Sequence, residues 1–359
     1  MFILGTRSKK MKIGIILNPY GEDKPAGLGR SVYEMTRAIL EIDKKNEYLI
    51  ILRKRPKTLP NFPGNNWKIK IADYRYFWLD IALFGEKLDI CIFNTPVISL
   101  FVRPVKSIVV TFDYAYDDFG KNNLLKLYHK FSLKMADHII AISEATKRET
   151  VRLFNIPQSK ISIAYLGFNN ICSTEPTVIK NLPDKFFMFA GIIKERKNVI
   201  GVVKGFAIAK KKFNLLHKLV IAGSGKGKYF EDILNYIEEN GLIDEIVFAG
   251  HANDGMLSYL YGKAEALIFP SFVEGFGMPV LEAMGCGTPV ITSNLSSLPE
   301  VAGDAAILVN PHDPEDIAIG IGKLALDHNL RSELSKKGFE QIKKFTWESS
   351  AREILSTFD

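Results

Sequence analysis

The segment 270–293, PSFVEGFGMPVLEAMGCGTPVITS, combines residue types and a spacing that can do chemistry. Two glutamates, Glu274 and Glu282, are separated by seven residues, and the stretch between them is rich in glycine. Met278 and Pro279 look like the start of a helix, because proline is tolerated in a first helical turn. Backbone N–H groups at such a start have no partner within the helix and therefore suit a phosphate. The backbone N–H groups predicted to contact a phosphate here are those of Phe276, Gly277 and Met278, and the predicted ligand-binding residues of the segment also include Gly275 and Pro279.

The two glutamates have different expected roles. Glu282 lies one turn into the helix and can accept two hydrogen bonds from a ribose diol, as acidic residues do in dinucleotide sites. Glu274 lies at the mouth of the loop and is left for the reacting part of the ligand. A plain surface loop with a first-turn glutamate that the helix dipole favours would give the same pattern. On spacing alone, both interpretations are open.

EGFGMPVLEAMGCGTPVI closely resembles the signature of the retaining nucleotide-sugar glycosyltransferases of family 4, and the resemblance extends over nearly the whole chain from Met11. That family implies an α/β architecture, the GT-B fold, with two Rossmann-like domains of doubly wound parallel sheet that face a cleft. AGIIKERKN at 190–198 is similar to the family's phosphate segment and implies a donor-binding role for Gly191. The resemblance further implies that Arg196 and Lys197 grip the donor diphosphate. A planar guanidinium beside an ammonium suits that task, since both offset charge on the leaving group.

The first half of the chain contains weaker matches. AGLGR at 26–30 resembles the family's glycine-rich loop, which implies that Gly27 and Gly29 let the backbone approach the donor and that Arg30 opens a helix. By itself this segment fits a plain turn better than a ligand-binding loop, because Val32 occupies the position of the third glycine in a dinucleotide fingerprint.

Two further matches follow strands. TFDYAYDD at 111–118 has Phe112-Asp113 where the family usually has His-Asp. Asp113 is still expected to bond a sugar hydroxyl, whereas Phe112 fits either a different sugar preference or a structural role. FAGHANDG, which starts at Phe248, implies backbone contacts to the donor from Gly250 and His251.

The resemblance implies a retaining, metal-independent hexosyltransferase. It would move a mannose- or glucose-type sugar from a nucleoside diphosphate to a glycan or lipid-linked acceptor in polysaccharide or cell-surface glycan synthesis. No cofactor and no metal is expected, since the histidines lack metal-ligand spacing and Asp-x-Asp does not occur. A nucleotide-sugar epimerase of the same fold and a non-catalytic subunit of a transferase complex are the alternatives.

The elements that must position these residues are parallel sheets with covering helices, because strand-like and helix-like runs alternate through both halves. Ligands bind such sheets at the carboxyl ends of the strands. We expect an N-terminal domain at 11–170, a polar linker at 171–183 and a donor-binding domain at 184–344. Residues 345–359 are predicted to form a terminal helix that crosses back to the first domain, and residues 1–10 a tail or an upstream start.

Of the 359 residues, 47% are hydrophobic and 24% charged, a composition that excludes disordered and fibrous classes. Residues 1–170 contain 27 Lys and Arg against 16 Asp and Glu, a net +11, and the remainder is net −4. Within the first half, residues 121–135 place three lysines four apart and four apolar residues at helical spacing, namely Lys126, Lys130, Lys134, Leu124, Leu127, Phe131 and Met135. This pattern predicts a helix that packs on the sheet with its lysines in water, or one that docks on an anionic membrane surface. Nucleic acid is not an expected partner, because no recognition motif is present.

Three widely spaced cysteines suggest no disulfide framework and favour a reducing cytosol. No apolar run approaches the roughly 20 residues that span a bilayer. We therefore expect a cytoplasmic protein, either soluble or peripheral at the inner face of the cell membrane.

Overall fold

The computed structural model describes residues 10–20, 27–114 and 123–358. The chain divides into two compact units. The first extends to Gly167 and also includes the segment from Thr346 onward, and the second is Phe168–Phe345. Nearly all of the predicted tail, residue Ala26 of the glycine-rich loop and residues 115–122 lie outside the described residues.

Within the described part of the first unit, seven strands form one parallel sheet. They are β1 (Lys12–Ile16), β2 (Glu47–Leu52), β3 (Trp67–Ile71), β4 (Ile90–Phe93), β5 (Lys106–Thr111), β6 (His138–Ala141) and β7 (Ile161–Ile163). Their order is β3-β2-β1-β4-β5-β6-β7. The central strands of this sheet are covered on both faces, and all four residues of β4 are buried.

The second unit, whose residues are all described, contains a six-stranded parallel sheet. Its strands are β8 (Phe186–Ala190), β9 (Lys218–Ala222), β10 (Ile246–Gly250), β11 (Ala266–Phe269), β12 (Val290–Ser293) and β13 (Ala306–Val309). Their order is β10-β9-β8-β11-β12-β13, so the winding direction reverses between β8 and β11. The prediction of two doubly wound parallel sheets is confirmed.

Helices connect the strands. In the described residues they are α1 (Gly27–Ile42), α2 (Trp78–Leu83), α3 (Asn123–Met135), α4 (Glu144–Phe154), α5 (Val199–Lys212), α6 (Lys228–Glu239), α7 (Asp254–Lys263), α8 (Met278–Gly285), α9 (Leu298–Ala302), α10 (Pro314–Leu326), α11 (His328–Gln341) and α12 (Trp347–Ser356). Ser143 caps α4 by accepting a hydrogen bond from the Thr146 backbone N–H at 3.0 Å. Among the described helices, none is long and apolar enough to cross a membrane.

Helix α3 does not pack on the sheet through the predicted apolar stripe. Its buried residues are His129, Ser132 and Leu133. Leu124 and Leu127, like the other two members of the stripe, are exposed. The helix has apolar residues on two sides, and the spacing did not identify the side that the core covers.

The expectation that the cysteines stay unpaired is wrong for two of them. Cys172 and Cys286 form a disulfide with their Cα atoms 5.3 Å apart. The bond joins the 3₁₀ turn Ile171–Ser173 to the residue that ends α8. The two cysteines are 114 residues apart in sequence, so no local pattern connects them. Cys91 is a free, buried thiol, and burial raises its pKa.

Candidate active site

A cluster of three charged side chains lies where the second sheet reverses its winding. Strands β8 and β11 are neighbours, so the loops that follow them meet at the same edge of the sheet. The first loop contains the 3₁₀ turn Glu195–Lys197, and the second contains Glu274. The backbone N–H of Phe272 donates to the carbonyl of Arg196 at 2.9 Å and holds the two loops together.

This junction brings Arg196, Lys197 and Glu274 into direct contact. The Arg196 Nη1 lies 3.1 Å from Oε2 of Glu274, and the Lys197 Nζ donates to Oε1. Glu274 is only 7% exposed. The Lys197 Nζ also lies 4.7 Å from the centroid of the Phe269 ring, within cation–π range. The result is a buried carboxylate between two cations, of which Arg196 is the more exposed.

The protonation state of Glu274 follows from this surrounding. Burial by itself would raise the pKa of the carboxyl group, because it penalises the charged form. The charges of Lys197 and Arg196 and the hydrogen bond from Lys197 outweigh it, so the pKa lies below its ordinary value. Glu274 is therefore ionised at neutral pH.

The backbone at Glu274 is fixed by two serines that follow β12. The Glu274 N–H donates to Oγ of Ser296 at 3.1 Å, and the same hydroxyl donates to the Glu274 carbonyl at 2.7 Å. Ser297 is buried and donates to the carbonyls of Glu274 and Phe276 at 2.9 and 2.7 Å. Sequence reasoning missed both serines, although their place after a buried strand was a usable signal.

Asn198 is a third residue that sequence reasoning missed as a support. It is buried, and its backbone φ of 53° lies in the left-handed region, which asparagine tolerates. Its side-chain Nδ2 donates to the carbonyls of Pro270 and Pro311 at 3.2 and 2.7 Å. Asn198 therefore ties the loop after β8 to the start of the loop after β11.

Helix α8 begins at Met278, as the sequence predicted, with Gly277 as its N-cap and proline in its first turn. Gly277 has a φ of 118°, and a Cβ atom there would lie 2.7 Å from Cδ2 of Leu298, so only glycine fits. The Phe276 side chain is buried and meets Phe345 edge-on, with ring centroids 5.5 Å apart. Phe276 therefore faces the core, and only its backbone is suited to a ligand.

Glu282 lies in the middle of α8 and is half-buried. The phenol of Tyr261, which is fully buried, donates to Oε2 of Glu282 at 3.3 Å. Burial raises the pKa of Tyr261 well above its ordinary value, and the charge and hydrogen bond of Glu282 raise it further. The phenol thus stays protonated and orients the carboxylate, a role that the sequence did not reveal.

The other predicted residues of the second unit occupy different strand ends. Gly191 follows β8 with a φ of 139°, and its N–H donates to the carbonyl of Ala222 at 2.9 Å. Gly250 ends β10 with a φ of 69°, and the next residue, His251, is exposed. Because β10 is the edge strand, β9 and β8 separate these two residues from the loop that contains Glu274.

The remaining predicted residues belong to the first unit. Gly27, Gly29 and Arg30 form the first turn of α1, where a Cβ on Gly29 would approach the Tyr20 backbone at 3.8 Å. Asp113 lies just after β5 and is half-buried.

Phe112, at the position where the family usually has histidine, accepts a hydrogen bond at its carbonyl from Oγ1 of Thr146 at 3.1 Å. Phe112 therefore supports the start of α4. Across the described residues, no group of three or more His, Cys, Asp or Glu is arranged to hold a metal ion.

Two family models match this chain. Residues 25–170 match Glycosyltransferase Family 4, and residues 175–341 match Glycosyl transferases group 1. The chain is 31% identical over 240 residues to the O-antigen chain mannosyltransferase B of Escherichia coli. This match covers 63% of this chain and 61% of that protein. It is 30% identical to the serotype-specific mannosyltransferase WbdA of the same species, where the match covers 62% of this chain and 29% of that one. The matching region thus spans less than two thirds of these relatives.

Similarity of fold extends over almost the whole chain. A sucrose-phosphate synthase from Thermosynechococcus elongatus superposes with a TM-score of 0.77 at 19% identity, covering 97% of this chain and 98% of that one. Anabaena HepE in complex with UDP and glucose gives a TM-score of 0.77 at 16% identity, with 97% and 99% covered. WaaG, a glycosyltransferase of lipopolysaccharide biosynthesis, gives a TM-score of 0.71 at 15% identity, again with 97% of this chain and 99% of that one covered.

Proposed function

The chain belongs to the family 4, group 1 glycosyltransferases and has the GT-B fold, and on that premise we propose that it is a retaining hexosyltransferase. The donor is a nucleoside-diphosphate sugar, and the acceptor is a glycan or a lipid-linked glycan of polysaccharide or cell-surface synthesis. The observation that carries the proposal is the buried Glu274 between Arg196 and Lys197 at the switch point of the second sheet. The mannosyltransferase relatives make GDP-mannose the first donor to test.

The two cations are suited to the donor diphosphate. Arg196 presents a fork of N–H donors, and its side chain is more exposed than that of Lys197, so it is the first to meet the phosphates. Both charges lie against a buried carboxylate, where water screens electrostatic interactions less than it does at the surface. They can therefore offset charge on the departing nucleoside diphosphate without a metal ion.

Glu274 is suited to the sugar. Its ionised carboxylate would stabilise positive charge at the anomeric carbon in an oxocarbenium-like transition state. The bond from that carbon to the diphosphate oxygen breaks as the bond to the acceptor oxygen forms on the same face, so the configuration is retained. The acceptor hydroxyl loses its proton to an oxygen of the leaving diphosphate.

Glu282 is suited to the nucleoside. Tyr261 holds its carboxylate from one side, and α8 holds its backbone. A carboxylate positioned in this way can accept both hydrogen bonds of a ribose diol.

A lipid-linked acceptor would place the reaction at the cytoplasmic face of a membrane.

The proposal is tested by incubating the full chain with GDP-mannose, UDP-glucose or UDP-galactose and a lipid-linked glycan acceptor, with and without EDTA. We expect a new glycosidic bond with the anomeric configuration of the donor, unaffected by EDTA, as read by NMR of the product. An inverted product, or activity that EDTA abolishes and a divalent ion restores, contradicts the mechanism. A converted nucleotide sugar without transfer identifies an epimerase.

A further inference from the structure

The Cys172–Cys286 disulfide lies next to the two helices that carry the Tyr261–Glu282 pair. Cys286 follows the last residue of α8, and its N–H donates to the Glu282 carbonyl at 3.2 Å. The Sγ of Cys172 lies 3.9 Å from the carbonyl oxygen of Ser258, which is one turn before Tyr261 in α7. The covalent bond and the hydrogen bond between Tyr261 and Glu282 therefore span the same two helices.

The segment on the Cys172 side of the bond is held along α7, and we call its residues 171–177 the strap. The Thr177 N–H donates to the Gly255 carbonyl at 3.0 Å. Oγ of Ser258 donates to the Thr174 carbonyl at 3.3 Å. A Cβ atom on Gly255 would lie 2.5 Å from Oγ1 of Thr177, so only glycine permits this close approach. Through the disulfide, the strap ties α7 to the end of α8.

The polar contacts between α7 and the α8 region are hydrogen bonds that depend on this spacing. The phenol of Tyr261 and Oε2 of Glu282 are 3.3 Å apart, which is long for a bond from a hydroxyl to an oxygen. Thr288, two residues after Cys286, donates from Oγ1 to the Tyr261 carbonyl at 2.7 Å. A small separation of the two helices would therefore release the Glu282 carboxylate from the phenol that orients it.

A dithiol has the chemistry to open this bond. Cys172 and Cys286 are half-buried, whereas the free thiol of Cys91 is fully buried, so the core does not enclose the pair. A thiolate of the dithiol attacks one sulfur and forms a mixed disulfide, which its second thiol then displaces. The cystine gains two electrons and two protons and becomes two thiols, and the dithiol becomes a disulfide.

We propose that the Cys172–Cys286 bond is a redox switch of donor affinity. In the oxidised state the strap holds α7 to α8 and keeps Glu282 against Tyr261. In the reduced state the helices are released from one another, and the carboxylate loses its orientation. The switch rests on the proposed function, because it takes Glu282 as the residue that holds the donor ribose.

The test compares the full chain before and after reduction with dithiothreitol, with a thiol titration to verify each state. Calorimetric titration with GDP and with UDP should give a Kd for the preferred nucleotide that is about fivefold or more higher after reduction. Reoxidation should restore the lower value. Hydrogen exchange without ligand should become faster in α7 and α8 after reduction, while strands β8 and β11 keep their protection.

Cys172→Ser/Cys286→Ser should bind like the reduced chain under both conditions, and if it does not fold, the reversible reduction of the unmodified chain decides. Cys91→Ala is the matched control, because it keeps the pair and should respond to reduction like the unmodified chain. An equal Kd in both states, unchanged exchange, or exchange that rises equally throughout the second unit overturns the switch. Binding of neither nucleotide in either state contradicts the proposed function itself, and the switch with it.

Discussion

Burying three charges at Glu274, Arg196 and Lys197 is costly unless they satisfy one another. The geometry meets that condition, since both carboxylate oxygens accept from a cation. Removing one member leaves a buried charge with one partner fewer, which usually costs more than the pair contributes. Under the proposed mechanism, function and stability therefore depend on the same three side chains.

Glu274→Gln should reduce turnover about 100-fold or more, because a neutral amide cannot stabilise charge that develops at the anomeric carbon. It should also lower the free energy of unfolding by about 3 kcal/mol, since Lys197 loses its carboxylate. Initial rates measured well below the unfolding midpoint separate the two effects. Glu340→Gln changes an exposed carboxylate of the same unit and should change neither quantity. Near-wild-type turnover of Glu274→Gln would exclude the proposed role.

The same carboxylate should leave a signature in acid. The folded state lowers the pKa of Glu274, so its contribution to stability is complete above the ordinary glutamate pKa and is lost as the pH falls through the lower folded value. Glu274→Gln lacks this titration, so its stability should fall less steeply on acidification. Urea unfolding of both proteins between neutral and acidic pH measures the difference. Parallel curves would show that Glu274 is not held ionised by its neighbours.

Tyr261→Phe removes the phenol that orients Glu282 and leaves the packed ring in place. If Glu282 holds the ribose, KM for the donor should rise about fivefold while kcat changes little, because ground-state and transition-state binding lose equally. Tyr236→Phe, a half-buried tyrosine on α6, is the matched control. A fall in kcat with an unchanged KM would assign Tyr261 a different role.

At the scale of elements, the site is made by the ends of three neighbouring strands. The loop after β8 supplies the cations, the loop after β11 supplies the carboxylate, and the two serines after β12 hold its backbone. Helix α8 then follows an N-cap glycine, Gly277, whose backbone conformation other residues rarely adopt. The position of this helix start therefore depends on one residue without a side chain.

Gly277→Ala tests that dependence. The positive φ and the close approach to Leu298 should together cost about 1–3 kcal/mol and displace the start of α8, with loss of donor binding. Gly262→Ala in α7 is the matched control, because a Cβ there meets nothing within 4 Å and alanine favours helix. Urea unfolding and nucleotide titration calorimetry measure both variants. An unaffected Gly277→Ala protein would show that the turn adapts.

At the scale of the whole molecule, the excess positive charge and the proposed donor-site residues lie in different halves of the chain. Residues 1–170 are net +11, whereas Arg196 and Lys197 lie in the part that is net −4. Under the proposed mechanism the two cations act on the donor by direct contact, because the half of the sequence that contains them carries no excess positive charge.

The Cys172–Cys286 bond belongs to the same scale, because it closes a segment of 114 residues within the second unit. We expect one reactive thiol, Cys91, in the denatured unreduced protein and three after reduction. Cys172→Ser/Cys286→Ser should lower the free energy of unfolding by up to about 5 kcal/mol on chain-entropy grounds. Thiol titration and urea unfolding check both statements. Three thiols without reduction would show that the pair does not form.

Much of the fold of this protein could be predicted from the sequence alone. Short apolar runs separated by helical periods specify parallel sheets, because both faces of each strand must be covered. The cap at Ser143 and the glycine and proline at the start of α8 are local signals, since they satisfy backbone groups of their own turn. The helix start whose backbone N–H groups suit a phosphate was recognisable for the same reason, whereas the proposed diphosphate role of Arg196 and Lys197 came from the family resemblance.

Other features depended on which elements became neighbours. Arg196 and Glu274 are 78 residues apart, and they meet because the winding reverses between β8 and β11. The supports from Ser296, Asn198 and Tyr261 and the disulfide follow from the same packing. The buried side of α3 was also decided only in the folded unit, because both of its sides are apolar enough to be covered. Local pattern determines what a residue can do, and the tertiary packing determines which charge, hydroxyl or surface it meets.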